Sequence, residues 1–286
     1  MQPWVLYQAF LLPCLPLANK KSTVSVKPKQ TGRGLRPVTL CILEKPTMIK
    51  LIPAAEHHHA KIGDWLESYY LFSFADYYDP ANVQFGPLRV FNHDRITGQN
   101  GFPLHPHAEM EVVTIVLNGE LTHKDSLSND ITLKAGDVQR MTSGTGFSHS
   151  ESNNSDKNTE LLQLWFLPNK KGLAPAYESM SLDFLDAKNK LVPLVTGQKV
   201  LENVVYLNSN STVYYGHVGR GESIDFKTFK IRKALVYVLT GGMLVNNVEA
   251  ETGDQVRLES QDIISLHGSA EATFILVDVP ATEVNY

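Results

Sequence analysis

The chain has 286 residues, of which 43% are hydrophobic and 20% charged, enough apolar material for one large or two smaller cores. The formal net charge of −4 combines a basic stretch, +6 over residues 1–47, with an acidic body, −10 over residues 48–286. An acidic body offers no complementary field to a phosphate backbone, so we expect no nucleic-acid partner.

Residues 1–47 contain turn formers and charges but no sustained helix or strand period. Their apolar start is interrupted by Pro13 and Pro16, no positive charge precedes it, and it is too short to span a membrane. We therefore interpret residues 1–47 as a disordered extension and expect no membrane partner. Both cysteines, Cys14 and Cys41, lie in this stretch, so the body has no disulfide or thiolate ligand, which suits a cytoplasmic protein.

Short apolar runs separated by turn signals follow from residue 48 to the end of the chain, and they predict an all-β protein. Long helical periodicity is rare in this body. The one helix that we expect covers residues 176–187, directly after Pro175.

A weak internal repeat indicates two copies of one unit. Residues 113–119 resemble residues 236–242, because each segment is an apolar strand that runs into a glycine turn. An acidic turn follows each copy, at residues 135–137 in the first and at residues 260–262 in the second.

Two pairs of side chains form the candidate metal site, His105 with His107 and His149 with Glu151. Residues i and i+2 of a strand point to the same face, so each pair projects together, and two adjacent strands inside a barrel would bring all four to one point. An isolated His-x-His pair is a weak signal, but the second pair, 42 residues after His107, strengthens it. Pro106 between two ligands is tolerated mainly at a sheet edge or barrel rim.

Nitrogen and oxygen ligands define the expected metal. Imidazole binds Fe, Cu, Ni, Co and Zn, and a carboxylate shifts the preference toward harder ions. We therefore expect one divalent transition metal, with Fe(II) favoured and Mn, Ni, Co, Cu or Zn as alternatives.

The other histidines are interpreted as structural or solvated. Residues 57–59 form a solvated patch, because adjacent residues of a strand face opposite ways. His123 follows a glycine turn and is interpreted as a surface residue. His217 and His267 have no partner two residues away, and we expect them to be hydrogen-bonded or exposed.

Five residues flank the candidate ligands in sequence. Glu111 is interpreted as a carboxylate that orients an imidazole, and Glu109 as a rim or solvent residue. Met110, Met141 and Phe147 are interpreted as core or pocket wall.

The motifs HPHAEMEVVTIVLNGELTHKDSLSN, AGDVQRMTSGTGFSHSE and LLQLWFLP closely resemble those of the pirin family. The resemblance covers residues 48–177 and continues more loosely to the end of the chain. It implies a bicupin, two jelly-roll-like β-barrels in tandem, with a metal-binding barrel over residues 48–180 and a degenerate barrel without metal over residues 181–286. It also implies that His105, His107, His149 and Glu151 are the metal ligands.

The resemblance also implies two activities, a quercetin 2,3-dioxygenase reaction and iron-dependent regulation of transcription factors. The sequence looks more like the bacterial enzymes, so the leading hypothesis is a metal-dependent dioxygenase that acts on a flavonol. Its partners would be a small aromatic substrate and O₂. Glu151 would take the proton of the substrate's hydroxyl group. The alternatives are a non-enzymatic, redox-dependent regulatory protein and a different cupin reaction. Nothing in the sequence marks an interface, and we expect a monomer.

Overall fold

The computed structural model describes residues 47–198 and 203–282, so the predicted extension lies outside the described residues apart from Thr47. Within these ranges the chain consists of β-strands, turns and one 3-10 helix, Ala54–Glu56, without an α-helix. This confirms the predicted all-β class. Among the described residues there is no helical segment of the length and apolarity needed to cross a bilayer.

Twenty-two strands follow one another in residues 47–198 and 203–282. The first half contains β1 Met48–Ile52, β2 His58–Ile62, β3 Leu66–Tyr70, β4 Leu88–Ile96, β5 Asn100–His107, β6 Glu111–Asn118, β7 Glu120–Asp125, β8 Asp130–Lys134, β9 Asp137–Thr142, β10 Phe147–Asn153, β11 Thr159–Phe166 and β12 Ala176–Ser181. The second half contains β13 Lys190–Thr196, β14 Val205–Tyr206, β15 Thr212–Val218, β16 Ser223–Lys227, β17 Arg232–Thr240, β18 Gly242–Val245, β19 Val248–Glu251, β20 Gln255–Glu259, β21 Ile263–Gly268 and β22 Ala272–Pro280.

The strands form two barrels, each made of a seven-stranded and a four-stranded sheet. The first barrel has the orders β12-β9-β6-β11-β4-β3-β2 and β5-β10-β7-β8. The second has the orders β1-β20-β17-β22-β15-β13-β14 and β16-β21-β18-β19. All neighbours are antiparallel except β13 and β14.

The two large sheets pack back to back, and their shared core lies between the barrels. Phe91 and Leu164 of the first barrel belong to the same buried cluster as Leu235 and Ile275 of the second. The central strands are therefore buried on both faces, which explains the nearly continuous apolar runs in their sequences. This packing makes each barrel the support of the other.

The interiors of the two barrels differ. The second barrel is filled by apolar side chains, with Met243, Leu266 and Phe274 in one fully buried cluster. In the first barrel, two smaller apolar clusters leave room for buried polar side chains such as Gln139 and Glu151. Because a buried polar group is costly unless it is hydrogen-bonded, the polar interior of the first barrel is the candidate functional site.

The first strand crosses to the second barrel. β1 pairs with β20, with Met48 opposite Glu259 and Ile52 opposite Gln255. The sequence grouped this strand with the barrel that follows it directly, because a crossing connection leaves no local signal.

The predicted helix over residues 176–187 is wrong. Its first half is the edge strand β12, which pairs with β9 from Ala176 opposite Thr142 to Ser181 opposite Asp137. Phe184 and Ala187 then enter the core between the large sheets. Pairing with an available sheet edge overrides local helical preference here.

The internal repeat is real, but its second acidic turn lies elsewhere than expected. β6 lies between β9, which begins after an acidic turn, and the long central strand β11. β17 lies in the same way between β20, which also begins after an acidic turn, and the long central strand β22. Asp137 accepts a hydrogen bond from the backbone N–H of Lys134 at 2.7 Å, and Asp254 accepts one from Glu251 at 3.0 Å. The turn at residues 252–254, rather than 260–262, is therefore the counterpart of residues 135–137.

Candidate metal centre

Strands β5 and β10 bring the predicted ligands together. His105 lies directly opposite His149 in the antiparallel pair, and His107 lies opposite Phe147. A register shift between His149 and Glu151 interrupts the pairing. β5 is the terminal strand of its sheet, which explains how Pro106 can stand between two of the histidines without breaking a ladder.

Three imidazoles converge at this strand pair. Potential ligand atoms of His105, His107 and His149 all lie within 4.8 Å of one another. The Nε2 atoms of His107 and His149 are 3.0 Å apart, and the rings of His105 and His149 have centroids 4.4 Å apart. The structure thus confirms that these three predicted residues meet.

The chemistry of the three rings fits a metal. The Nδ1–H of His105 donates to the carbonyl oxygen of Pro103 at 2.7 Å, which leaves the Nε2 lone pair of His105 free. Burial lowers the pKa of all three rings, that of His107 to about 3, with the neighbouring His105 as the second cause. Neutral imidazoles are the form that can offer a nitrogen lone pair to a transition metal.

Glu151 lies in a second cluster that shares His149. Potential ligand atoms of Glu151, His149 and His123 also lie within 4.8 Å of one another, and all three residues are buried. Burial raises the pKa of Glu151 to about 7, and the charge of the buried Asp94 acts in the same direction, although a hydrogen bond from Gln163 opposes them. The carboxyl group is therefore poised to gain or lose a proton near neutral pH.

Two glutamines hold the carboxylate of Glu151. The amide nitrogens of Gln139 and Gln163 donate to it at 3.0 and 2.9 Å. The indole N–H of Trp165 donates to the amide oxygen of Gln163 at 3.0 Å. The hydroxyl of Tyr177 donates to the amide oxygen of Gln139 at 3.1 Å. Because an indole can only donate, the orientation of Gln163 is fixed, and its N–H must face Glu151.

His123 is the main site residue that the sequence interpretation missed. The side chain is fully buried, not on the surface. Its Nδ1 lies 3.4 Å from Nδ1 of His149, and its Nε2 lies 2.9 Å from a carboxylate oxygen of Asp125. His123 and Asp125 are a third pair at i and i+2, on β7, and this spacing was the signal available in the sequence.

Aromatic and sulfur-containing side chains form the wall beside the histidines. Trp165, Phe147 and Met141 belong to one buried cluster, with Met110 packed against it. The ring of Trp165 meets the ring of His107 edge to face at 4.8 Å. These residues are part of the core, which confirms that part of their interpretation.

Glu111 does not orient an imidazole. It has the strand parity of Val113 and Ile115, which face the core between the large sheets. One of its carboxylate oxygens accepts hydrogen bonds from the backbone and side-chain nitrogens of Asn208, at 3.0 and 3.2 Å. The residue therefore joins the two barrels.

The remaining histidines are structural. His57, expected in a solvated patch, is buried and lies 2.8 Å from the amide nitrogen of Gln255, whereas His59 is exposed as expected. His217 bonds to Glu271, and His267 bonds to a serine hydroxyl, which confirms their interpretation.

Two family models match the chain. The pirin model matches residues 54–166, and a model described as the quercetinase C-terminal cupin domain matches residues 194–279. Together with the two observed barrels, they confirm the predicted tandem cupin fold.

Individual relatives agree with these matches. A quercetin 2,3-dioxygenase of Escherichia coli K12 is 35% identical over 234 residues, 82% of this chain and 99% of the relative. A pirin-like protein of Caulobacter vibrioides is 34% identical over 214 residues, 75% of this chain and 92% of the relative. The crystal structure of the bacterial pirin YhhW from E. coli in complex with nickel(II) aligns with a TM-score of 0.77 at 33% identity, covering 82% of this chain and 100% of the other. This chain is therefore a member of the pirin family.

Proposed function

We propose that this pirin is a metal-dependent dioxygenase that opens the central ring of a flavonol such as quercetin. The observation that carries the proposal is the convergence of His105, His107 and His149 next to Glu151, a buried carboxyl group with a pKa near 7. The quercetin 2,3-dioxygenase name of the E. coli relative supports the same reaction.

We propose His105, His107, His149 and Glu151 as the ligands of one divalent metal, with Fe(II) as the physiological ion. Three imidazoles and one carboxylate leave about two of the six positions of an octahedral ion open. The nickel(II) complex of YhhW supports binding of a divalent ion at this kind of site. When bound, the ion would polarise the substrate's oxygens and allow electron transfer between the substrate and O₂.

The protein's own residues supply the proton chemistry. Glu151 would accept the proton of the flavonol hydroxyl as a general base. Gln139 and Gln163 hold its two oxygens in place, so the carboxylate does not have to reorganise as it accepts the proton. A nearby dication would favour the ionised form and so prepare Glu151 for this role.

The surroundings suit a flat aromatic substrate. Trp165 and Phe147 provide apolar surface beside the histidines. An aromatic wall excludes water from the reacting atoms and binds a planar ring without a charged partner. We also propose that the protein acts as a cytoplasmic monomer without a nucleic-acid partner.

The test is oxygen uptake by the metal-loaded protein with quercetin, together with detection of carbon monoxide. The metal-free protein and the His107→Ala variant are the controls, and both should be inactive. Uptake of O₂ with release of carbon monoxide by the loaded protein alone would support the proposal. No uptake with any flavonol at full metal occupancy would refute it and would favour a non-enzymatic regulatory protein.

A further inference from the structure

We propose that Asp125 and His123 form a relay that fixes the tautomer of His149 and keeps the Nε2 lone pair of His149 directed at the metal. The inference rests on the proposed metal site. It gives positioning roles to two residues outside the proposed ligand set.

The relay begins at Asp125, whose carboxylate only accepts hydrogen bonds. One oxygen accepts from the backbone N–H groups of Leu127 and Asn129, at 2.9 and 3.0 Å. The other accepts from the side-chain amide of Asn129 at 2.7 Å and faces Nε2 of His123 at 2.9 Å. The Nε2 atom of His123 must therefore carry a hydrogen.

The hydrogen on Nε2 determines what the other nitrogen of His123 can do. A neutral imidazole has one donor and one acceptor, so Nδ1 of His123 is an acceptor. It lies 3.4 Å from Nδ1 of His149. Two lone pairs would repel at this distance, so the hydrogen must be on Nδ1 of His149.

His149 is thereby left with a lone pair on Nε2. Without metal this lone pair accepts a hydrogen bond from the Nε2–H of His107, 3.0 Å away, and it is the lone pair that would bind the metal. Outer carboxylate–histidine contacts commonly set the tautomer and basicity of a metal-binding imidazole. Here a second imidazole stands between the carboxylate and the ligand.

Packing prevents His123 from turning away. The rings of His123 and Tyr177 are stacked with centroids 4.8 Å apart, and Phe147 lies on the ring at 6.2 Å. His123 and His149 are both fully buried, so water cannot easily replace the acceptor that His123 offers.

The substitution Asp125→Asn should reverse the relay. An asparagine oxygen would keep the two backbone N–H donors of Leu127 and Asn129, which turns its NH₂ group toward His123. The side-chain amide of Asn129 would flip and present its oxygen to this NH₂ group. The Nε2 atom of His123 would then accept, its Nδ1 would donate, and the hydrogen of His149 would move to Nε2. That hydrogen must be removed before a metal can bind.

The experiment measures the tautomer of His149 by ¹H–¹⁵N NMR in the metal-free protein and the affinity for Ni(II) by competition with a chelator. We expect the Nδ1–H tautomer in the wild type and the Nε2–H tautomer in Asp125→Asn, with affinity reduced about 10–100-fold. Asp130→Asn, the same change at an exposed site on the neighbouring strand, is the matched control and should alter neither value.

A second pair of variants keeps the test decisive if Asp125→Asn folds poorly. His123→Asn retains an acceptor near the place of Nδ1 and should keep most of the affinity, whereas His123→Leu has no acceptor and should lose it. In a protein that already carries His123→Asn, the further substitution Asp125→Asn should then reduce the Ni(II) affinity only slightly.

Three results would overturn the relay: a Nε2–H tautomer of His149 in the wild type, equal Ni(II) affinity in all variants, or two metal equivalents per chain with one held by His123, His149 and Glu151. Failure of the proposed function is distinguishable. Tight, relay-dependent Ni(II) binding without flavonol turnover would leave the relay standing and remove only the dioxygenase.

Discussion

His105 and His149 are direct cross-strand partners on β5 and β10, and their rings have centroids 4.4 Å apart. Side chains directly opposite each other in an antiparallel pair are held close by the strands themselves. The centre is thus built on a sheet rather than on loops, and its geometry depends on the register of two strands. A site positioned in this way would be largely formed before a metal binds.

The first prediction concerns metal content. We expect about one metal per chain in the wild type and its loss in His149→Ala and His105→Ala, because the site has no cysteine that could replace a lost ligand. His59→Ala, at an exposed histidine, is the control and should bind normally. Elemental analysis after removal of free metal measures the outcome, and full occupancy in His149→Ala would contradict the assignment.

The second prediction concerns the pH dependence of stability without metal. Burial raises the pKa of Glu151 from 4.5 to about 7, so the folded state keeps a proton that the unfolded state has released between these values. The stabilisation of the folded state by the protonated Glu151 is fully present below about pH 4.5 and is lost as the pH rises through 7. Glu151→Gln cannot ionise and should lack this loss.

Urea unfolding of the metal-free proteins tests the sign. Between about pH 5 and about pH 8 the wild type should lose up to about 3 kcal/mol relative to Glu151→Gln. Parallel stability profiles for the two proteins would show that Glu151 titrates normally.

Strand alternation places His105 with His107 and His149 with Glu151, and the resemblance to the pirin family joins the two pairs in one site. The sequence does not predict the burial of His123, since a turn begins just after Asp125 and the ring that covers His123 belongs to Tyr177 on a distant strand. The local sequence predicts which face of a strand a side chain occupies, but not which residues from other strands pack over that face.

The errors in the predicted fold also arise because long-range contacts leave no local signal in the sequence. The helix expected at residues 176–187 becomes a strand because β9 has a free edge there. β1 joins the second barrel through a long-range pairing with β20. The role of Glu111 could not be predicted either, since β6 is buried on both faces and parity with Val113 does not tell which face meets the barrel interior.

The third prediction concerns the joint between the barrels. Asn208→Ala removes a side-chain hydrogen bond to the buried Glu111 and should cost about 1 kcal/mol. Asn208→Asp should cost more, because it places a second carboxylate beside Glu111, and the excess should shrink at acid pH. Asn210→Asp, at an exposed site, should change little. Equal stabilities of the two Asn208 variants at neutral pH would argue against this contact.

The fourth prediction concerns β1. A chain that begins at Met48 should fold and bind metal as the full chain does, because residues 1–47 have no periodic apolar face to bury. A chain that begins at Pro53 loses the ladder with β20, whose hydrogen bonds contribute about 0.5–1.5 kcal/mol each. Its melting temperature should fall while its metal content stays normal. The same melting temperature for both shortened chains would contradict a structural role of β1.

The most direct test of the dioxygenase is the fate of oxygen from ¹⁸O₂. The metal-loaded protein is incubated with quercetin under ¹⁸O₂, and the ring-opened product and carbon monoxide are analysed by mass spectrometry. We predict two ¹⁸O atoms in each product molecule and unlabelled carbon monoxide, with a rate per metal about 10²–10⁴-fold lower in Glu151→Gln. Product oxygen that comes from water, or quercetin left intact at full metal occupancy, would contradict the account.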